Sequence, residues 1–230
     1  MRLFARRDPT SNHDALARIA GRGLEINSVI DVGASDGRWS LMAEKFWPRA
    51  RFHLIEAFEH WRPKLGALAA RNPRYSYSLA AAGARDGGSV PFTNSKTEPL
   101  GGVAGTAATL EDHWTVPMVS IDAEVARHGL PPPYLVKFDT HGFEREIIDG
   151  AGETLRSTNL LVNEFYNFQS EERRWPQMVM LIESMGFRCV DLIEPLWRTD
   201  GVLWQVDFAF MRGDRPEFSV NEFAATAPGG

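Results

Sequence analysis

The segment 28–47 constrains the fold more than any other stretch of the chain. Ser28-Val29-Ile30-Asp31-Val32-Gly33 is the short apolar run of a buried strand. Through a glycine turn it enters 36–47, where Trp39, Met42, Ala43, Phe46 and Trp47 recur at helical spacing and Pro48 stops the pattern. A strand feeding a helix in this way is half of a βαβ unit, and the alternation continues. Residues 51–57 predict a second strand, 59–70 a helix ended by Asn72-Pro73, and 74–81 and 89–93 further strands. The stretch 94–109 is poor in bulky side chains and predicts a loop or lid. Strand-like 116–121, a short helix at 122–128 and a central strand at 134–139 follow, then a helix at 143–150 and a strand at 159–165. The helix 175–185 places Trp175, Met178, Val179, Ile182 and Met185 on one face, with Gly186 at the stop position. Strands 187–193 and 202–212 share a short polar loop, so they should run antiparallel. The expectation is a doubly wound, Rossmann-like α/β fold with helices on both faces and a reversed last strand. Residues 1–27 form a helical lead-in, 28–212 the domain and 213–230 a tail that ends in a small, Pro/Gly-containing segment.

Composition narrows the class. Hydrophobic residues at 43% and charged residues at 24% are ordinary globular values, and 230 residues suffice for one core. The net charge of −5, from 25 basic and 30 acidic residues, lacks the footprint of a nucleic-acid binder. The single cysteine, Cys189, has no internal disulfide partner and reads as a small buried hydrophobe. No apolar stretch approaches the ~20 residues of a membrane helix, and the N-terminus lacks the apolar centre of a secretory signal. These features predict a soluble cytoplasmic protein with neither nucleic acid nor membrane as partner. Self-association into a homo-oligomer stays open.

Open α/β sheets bind ligands at the carboxyl ends of their strands. The first such turn is Asp31-Val32-Gly33-Ala34-Ser35-Asp36-Gly37. A dinucleotide G-x-G-x-x-G starting at Gly33 would need glycines where Ser35 and Arg38 stand. The acidic-x-G-x-G-x-G pattern of S-adenosylmethionine enzymes is met by Asp31, Gly33 and Gly37, with Ser35 as the one departure. Glycines allow a ligand close to the backbone, and Asp31 offers a carboxylate to an ammonium group. Asp31 and Asp36 together would repel a pyrophosphate. Glu56 stands 25 residues after Asp31, at the tip of the second strand, where an acceptor for ribose hydroxyls belongs. S-adenosylmethionine is therefore the expected cofactor, with NAD as the alternative.

Leu135-Val136-Lys137-Phe138-Asp139-Thr140-His141-Gly142-Phe143-Glu144, followed by Ile147-Ile148-Asp149-Gly150-Ala151, resembles the signature of the FkbM family of methyltransferases. Ser120-Ile121-Asp122, Leu161-Val162-Asn163-Glu164, Gly186-Phe187 and Gln205-Val206-Asp207-Phe208-Ala209-Phe210 are similar to the family in the same order. The resemblance covers about residues 26–212. It implies a class I methyltransferase fold with seven mostly parallel strands, the last antiparallel. It also implies methyl transfer from S-adenosylmethionine, mostly to hydroxyls of sugars, polyketides and related small molecules. Asp31, Gly33, Gly37 and Glu56 would contact the cofactor, and Ser35 is a small polar departure from the common glycine-rich form.

An alcohol ionises near pKa ~15.7, so forming the alkoxide at pH 7 would cost about 12 kcal/mol. Either a base or a metal must help. Asp139 ends one strand, Asn163-Glu164 end the next, and three oxygen ligands at neighbouring tips would suit Mg²⁺. The site is similar to that of catechol O-methyltransferase, departing from it in having Asn-Glu rather than Asp-Asn. His141, two residues past Asp139, is the candidate general base, a role worth ~10²–10⁴ in rate, and could instead complete a Mn²⁺ or Fe²⁺ site. The structural alternatives are plain. Asp139, Thr140 and Glu144 could cap a helix, and Lys137 needs a buried carboxylate, Asp31 or Glu164. Asp207 reads as an internal hydrogen-bond partner, and His53, His60, His113 and His128 as surface or core. Substrate contacts are expected from 94–109 and from Tyr166-Asn167-Phe168-Gln169. Two other functions compete. An NAD-dependent oxidoreductase lacks the glycines and a Tyr-x-x-x-Lys pair; a non-catalytic binding module would survive loss of Asp139 or His141.

Overall fold

The structure is a computed structural model that describes residues 8–94, 102–105, 113–168, 170 and 173–223. Helix α1 (Asn12–Ala20) is N-capped by Ser11, whose hydroxyl accepts from the Asp14 N–H. Next come β1 (Ser28–Val32), α2 (Arg38–Ala43), β2 (Arg51–Glu56), α3 (Arg62–Arg71) and β3 (Tyr75–Leu79). Then follow β4 (Ala81–Ala82), β5 (Ser89–Thr93), β6 (Val103–Ala104), β7 (Trp114–Val119) and α4 (Ile121–His128). The second half holds β8 (Tyr134–Phe138), α5 (Glu144–Asp149), α6 (Gly152–Arg156), β9 (Thr158–Tyr166), α7 (Trp175–Ser184), β10 (Phe187–Trp197) and β11 (Leu203–Arg212). Among the described residues, no helix is long and apolar enough to cross a membrane.

Seven strands form the main sheet in the order β10-β11-β9-β8-β1-β2-β3. The pairs β1–β2, β2–β3, β1–β8 and β8–β9 are parallel, and β11 runs antiparallel to β9 and β10, as the short polar loop predicted. The chain starts at the centre, works outward to β3, then crosses to β8 beside β1. That reversal opens a crevice at the strand tips.

Strand residues alternate between two cores, as a period of two requires. Val29, Leu135, Leu160 and Val162 join Leu16 of α1, Ala43 of α2 and Leu65 of α3. Ile30, Val136 and Leu161 join Ile121 of α4, Ile147 of α5, Leu155 of α6 and Ile182 of α7. Gly186 takes φ +86° after α7, the left-handed stop the sequence suggested.

Three details depart from the sequence reading. The run 74–81 is divided: β3 ends at Leu79, and β4 leaves for a second sheet of order β4-β7-β5-β6. Within 94–109, Val103–Ala104 pairs antiparallel with β5 at Phe92 and Thr93; the remainder, 95–101 and 106–109, lies outside the described residues, as do Gln169 and the tail 224–230. A five-residue helix, α6, follows α5 directly. No local residue announces it, because its cap comes from α4: Asp122 accepts from the N–H groups of Glu153 at 3.0 Å and Thr154 at 2.8 Å.

Candidate active site

The crevice forms where β1 turns into α2. Gly33 takes φ +76°, and a Cβ there would stand 1.9 Å from the carbonyl oxygen of Asp139. The β1 and β8 tips approach this closely because the Asp139 N–H donates to the Val32 carbonyl at 3.0 Å. Ser35 also takes positive φ, +50°, and donates its N–H to Glu56 Oε2 at 2.7 Å. Glu56 Oε1 accepts from the Phe58 N–H at 2.7 Å. The carboxylate is thus fixed at the tip of β2, and burial raises its pKa. Glu56, Gly33 and Ser35 line a 320 Å³ cavity with Ala80, Phe58 and His141. A 610 Å³ cavity shares Gly33, Ser35, Asp139 and Glu164 with it and extends to Asn12 and Asp207. Both volumes suit small ligands.

A row of polar side chains crosses the sheet beside these cavities. Asp31 lies opposite Lys137 on β8, and Glu164 of β9 opposite Asp207 of β11. Lys137 Nζ donates to Asp139 Oδ2 at 2.9 Å and stands 3.5 Å from Asp31 Oδ1. Burial opposes its charge, but Asp139 and Asp31 hold its pKa above the ordinary lysine value. Burial likewise opposes ionising Asp139, yet Lys137 and then His141 keep its pKa low. Glu164 goes the other way, to about 9, through burial and then the charges of Asp139 and Asp207. One proton therefore stays with the Asp139–Glu164 pair at neutral pH, on Glu164. Asp207 rises to about 7, from burial and Asp139. Gln205 Nε2 donates to Glu164 Oε2 at 2.6 Å.

His141 projects into this row from a turn with positive φ at both His141 (+57°) and Gly142 (+109°). Glu144 holds the turn by accepting from the Gly142 N–H at 2.9 Å and the Thr140 hydroxyl at 3.0 Å. His141 Nδ1 meets the Tyr166 hydroxyl and lies 3.4 Å from Glu164 Oε1; Nε2 lies 3.9 Å from Asp139 Oδ1. Burial first, and then the neighbouring Glu164, raises the Tyr166 pKa, so its hydroxyl keeps its proton. In the tautomer whose Nδ1–H donates to Tyr166, the ring carries its lone pair on Nε2. Burial lowers the His141 pKa, partly offset by Asp139, and so favours the neutral ring.

The family model for the methyltransferase FkbM domain matches residues 31–189, more than half of the chain. The chain belongs to the FkbM methyltransferase family. No curated protein matches its sequence. In fold it is similar to the methyltransferase FkbM from Methylobacillus flagellatus KT, at 16% identity over 81% of this chain and 45% of that one, TM-score 0.48. The chain therefore spans less than half the length of that protein. It is also similar to precorrin-6y C5,15-methyltransferase from Geobacter metallireducens GS-15, at 13% identity over 90% and 92% of the two chains, TM-score 0.43. A third similar structure is 1,6-didemethyltoxoflavin-N1-methyltransferase from Burkholderia thailandensis, at 12% identity over 89% and 80%, TM-score 0.45.

In this FkbM-family chain, Gly33, Ser35 and Glu56 line the first cavity, and Asp139, His141 and Glu164 converge. Three expectations change. Asp31 lines neither cavity: it is fully buried, accepts from the Ser40 hydroxyl at 2.7 Å, and the ammonium beside it is that of Lys137. The open side of Gly37 faces Leu68 and Leu54 in the core, not a ligand. Asn163 does not join Asp139 and Glu164. Successive strand residues point to opposite faces, so Glu164 faces the crevice and Asn163 the other core, where its Nδ2 donates to the Glu164 carbonyl at 3.0 Å. His141 takes the third position in the cluster. Glu144 is structural, but it holds the His141 turn rather than capping α5, whose N-cap has no side-chain bond. The role of Tyr166 on His141 was missed; its signal was the two-residue spacing from Glu164, which puts both on one strand face. Asn12 of α1, which accepts from the Trp39 indole at 3.0 Å at the second cavity, carried no local signal.

Proposed function

We propose that the chain is an S-adenosylmethionine-dependent O-methyltransferase that methylates a hydroxyl of a small molecule, a sugar, polyketide or related natural product, in the cytoplasm. The observation that carries this reading is the Glu56 carboxylate, fixed by two backbone N–H groups beside Gly33 and Ser35 in a cavity that also reaches His141. Glu56 retains lone pairs to accept from the two ribose hydroxyls, and Gly33 and Ser35 let the ligand lie against the turn. Asp31 and Gly37 act one step back, by anchoring Lys137 and by seating the turn on the core. Bound S-adenosylmethionine supplies an electrophilic methyl group on a sulfonium. The row of carboxylates exceeds its single ammonium, Lys137, and so favours a cation in the crevice. His141 Nε2 takes the acceptor's proton as the hydroxyl oxygen attacks, and Tyr166, which meets Nδ1, orients the ring.

The same cluster favours a second reading in which Asp139, His141 and Glu164, with donor atoms within 4.8 Å of one another, hold a divalent ion. Such an ion would lower the acceptor's pKa. An imidazole in the set suits Mn²⁺ or Fe²⁺ better than the Mg²⁺ expected from three oxygens. Turnover that persists in EDTA excludes this reading.

Calorimetric titration with S-adenosylhomocysteine should show one site, abolished by Glu56→Ala. His141→Ala should keep that affinity and lose ~10²–10⁴ in kcat toward a hydroxyl acceptor. Absence of binding by the wild type would overturn the proposal and make NAD the next ligand. Function unchanged by His141→Ala would favour a non-catalytic binding module.

A further inference from the structure

We propose that His53, Glu124 and His128 form a zinc site on the face of the sheet opposite the polar row. None of the three lines either cavity. Glu124 and His128 are four residues apart on α4 and project from the same helix face. That face lies over His53 of β2 and Ser78 of β3, whose hydroxyl donates to Glu124. Glu124 Oε2 stands 2.7 Å from His53 Nε2 and 3.5 Å from His128 Nε2. All three donor atoms fall within 4.8 Å of one another, with the imidazole centroids 4.2 Å apart.

Two imidazoles and a carboxylate are an established zinc donor set, with bonds of about 2.0–2.2 Å. Tetrahedral donors at those lengths stand about 3.3 Å apart. The 3.5 Å separation already fits, and the 2.7 Å contact opens by about half an ångström when zinc replaces the proton between His53 and Glu124. That proton has a place to go. Ser76 Oγ lies 2.9 Å from His53 Nδ1 and 3.4 Å from the Phe52 carbonyl. The ring becomes an Nδ1–H tautomer that donates to Ser76, whose hydroxyl turns to Phe52, and Nε2 is freed for the metal with no net proton change. This is the outer contact that ligating histidines ordinarily make. Arg127 meets Glu124 Oε1, the other oxygen, and is held outward by Asp86 at 2.9 Å, while Oε2 accepts from Ser78 and keeps a second lone pair for monodentate binding. His53 and Glu124 are buried, whereas the His128 side chain is 27% exposed, which gives the ion a way in and a water the fourth position. The ion would tie α4 to the β2–β3 edge of the sheet.

The full chain, stripped with EDTA and titrated with Co²⁺, should take up one equivalent with the visible bands of four-coordinate cobalt, and Zn²⁺ should bleach them. His128→Gln removes a ligand and should weaken that uptake by roughly 100-fold or more, since even an outer contact is worth about 10–100-fold. His141→Gln, in the other cluster, should leave the bands intact. Circular dichroism checks that each variant folds, and Glu124→Gln provides a second test with little change of volume. A wild type without four-coordinate bands, or bands that survive His128→Gln, overturns the site and leaves a metal-free hydrogen-bond network.

Discussion

Gly33 and Gly37 both adopt left-handed backbone, yet their missing side chains matter differently. A Cβ on Gly33 would collide with the backbone oxygen of Asp139, which cannot turn aside without parting the β1 and β8 tips. On Gly37 the nearest atoms, at 2.5 and 3.2 Å, are methyl ends of Leu68 and Leu54, which can change rotamer. Urea denaturation should therefore find Gly33→Ala destabilising by about 3 kcal/mol or more and Gly37→Ala by about 1–2 kcal/mol. Equal losses would contradict this account. From sequence the two glycines look alike, since a turn motif records the need for positive φ but not what faces the open side.

Element boundaries and faces repeat the lesson one level up. The alternation along β9 was legible: Leu161 and Phe165 go to one core and Leu160 and Val162 to the other. Applied to Asn163-Glu164, the same rule separates the pair, and the metal expectation failed there because it treated a strand tip as having no faces. Helix α6 shows the opposite limit. Ala151 at its N-cap offers no side-chain acceptor, and Asp122 supplies one from about thirty residues away. Asp122→Ala should destabilise the chain by about 1–2 kcal/mol in urea titrations. S-adenosylhomocysteine affinity should be unchanged, because Asp122 lines neither cavity.

Across the whole molecule, the polar row from Asp31 to Asp207 spans four adjacent strands and makes global stability depend on pH. Glu164 at about 9 and Asp207 at about 7 lie above their ordinary 4.5 and 3.8, from burial first and then the charge of Asp139. The folded chain keeps protons that the unfolded chain releases. This contribution is fully present below about pH 4 and is lost progressively up to pH 9. In EDTA, Glu164→Gln should gain about 1–4 kcal/mol over the wild type at pH 8 and little at pH 4, measured by urea denaturation. A gain of the same size at both would place its origin in packing.

The α/β alternation, the strand–turn–helix at Gly33, the tip position of Glu56 and the reversed β11 were determined by the sequence itself. They follow from local periodicity and from glycine's access to positive φ, which neighbouring residues record. The tertiary structure alone decided that Lys137 neutralises Asp31, that Tyr166 orients His141, and that His53 and His128, solitary in the chain, meet around Glu124. Each of these depends on which face of an element meets which neighbour, and only the packed sheet, with α4 seated on the β2–β3 edge, sets that.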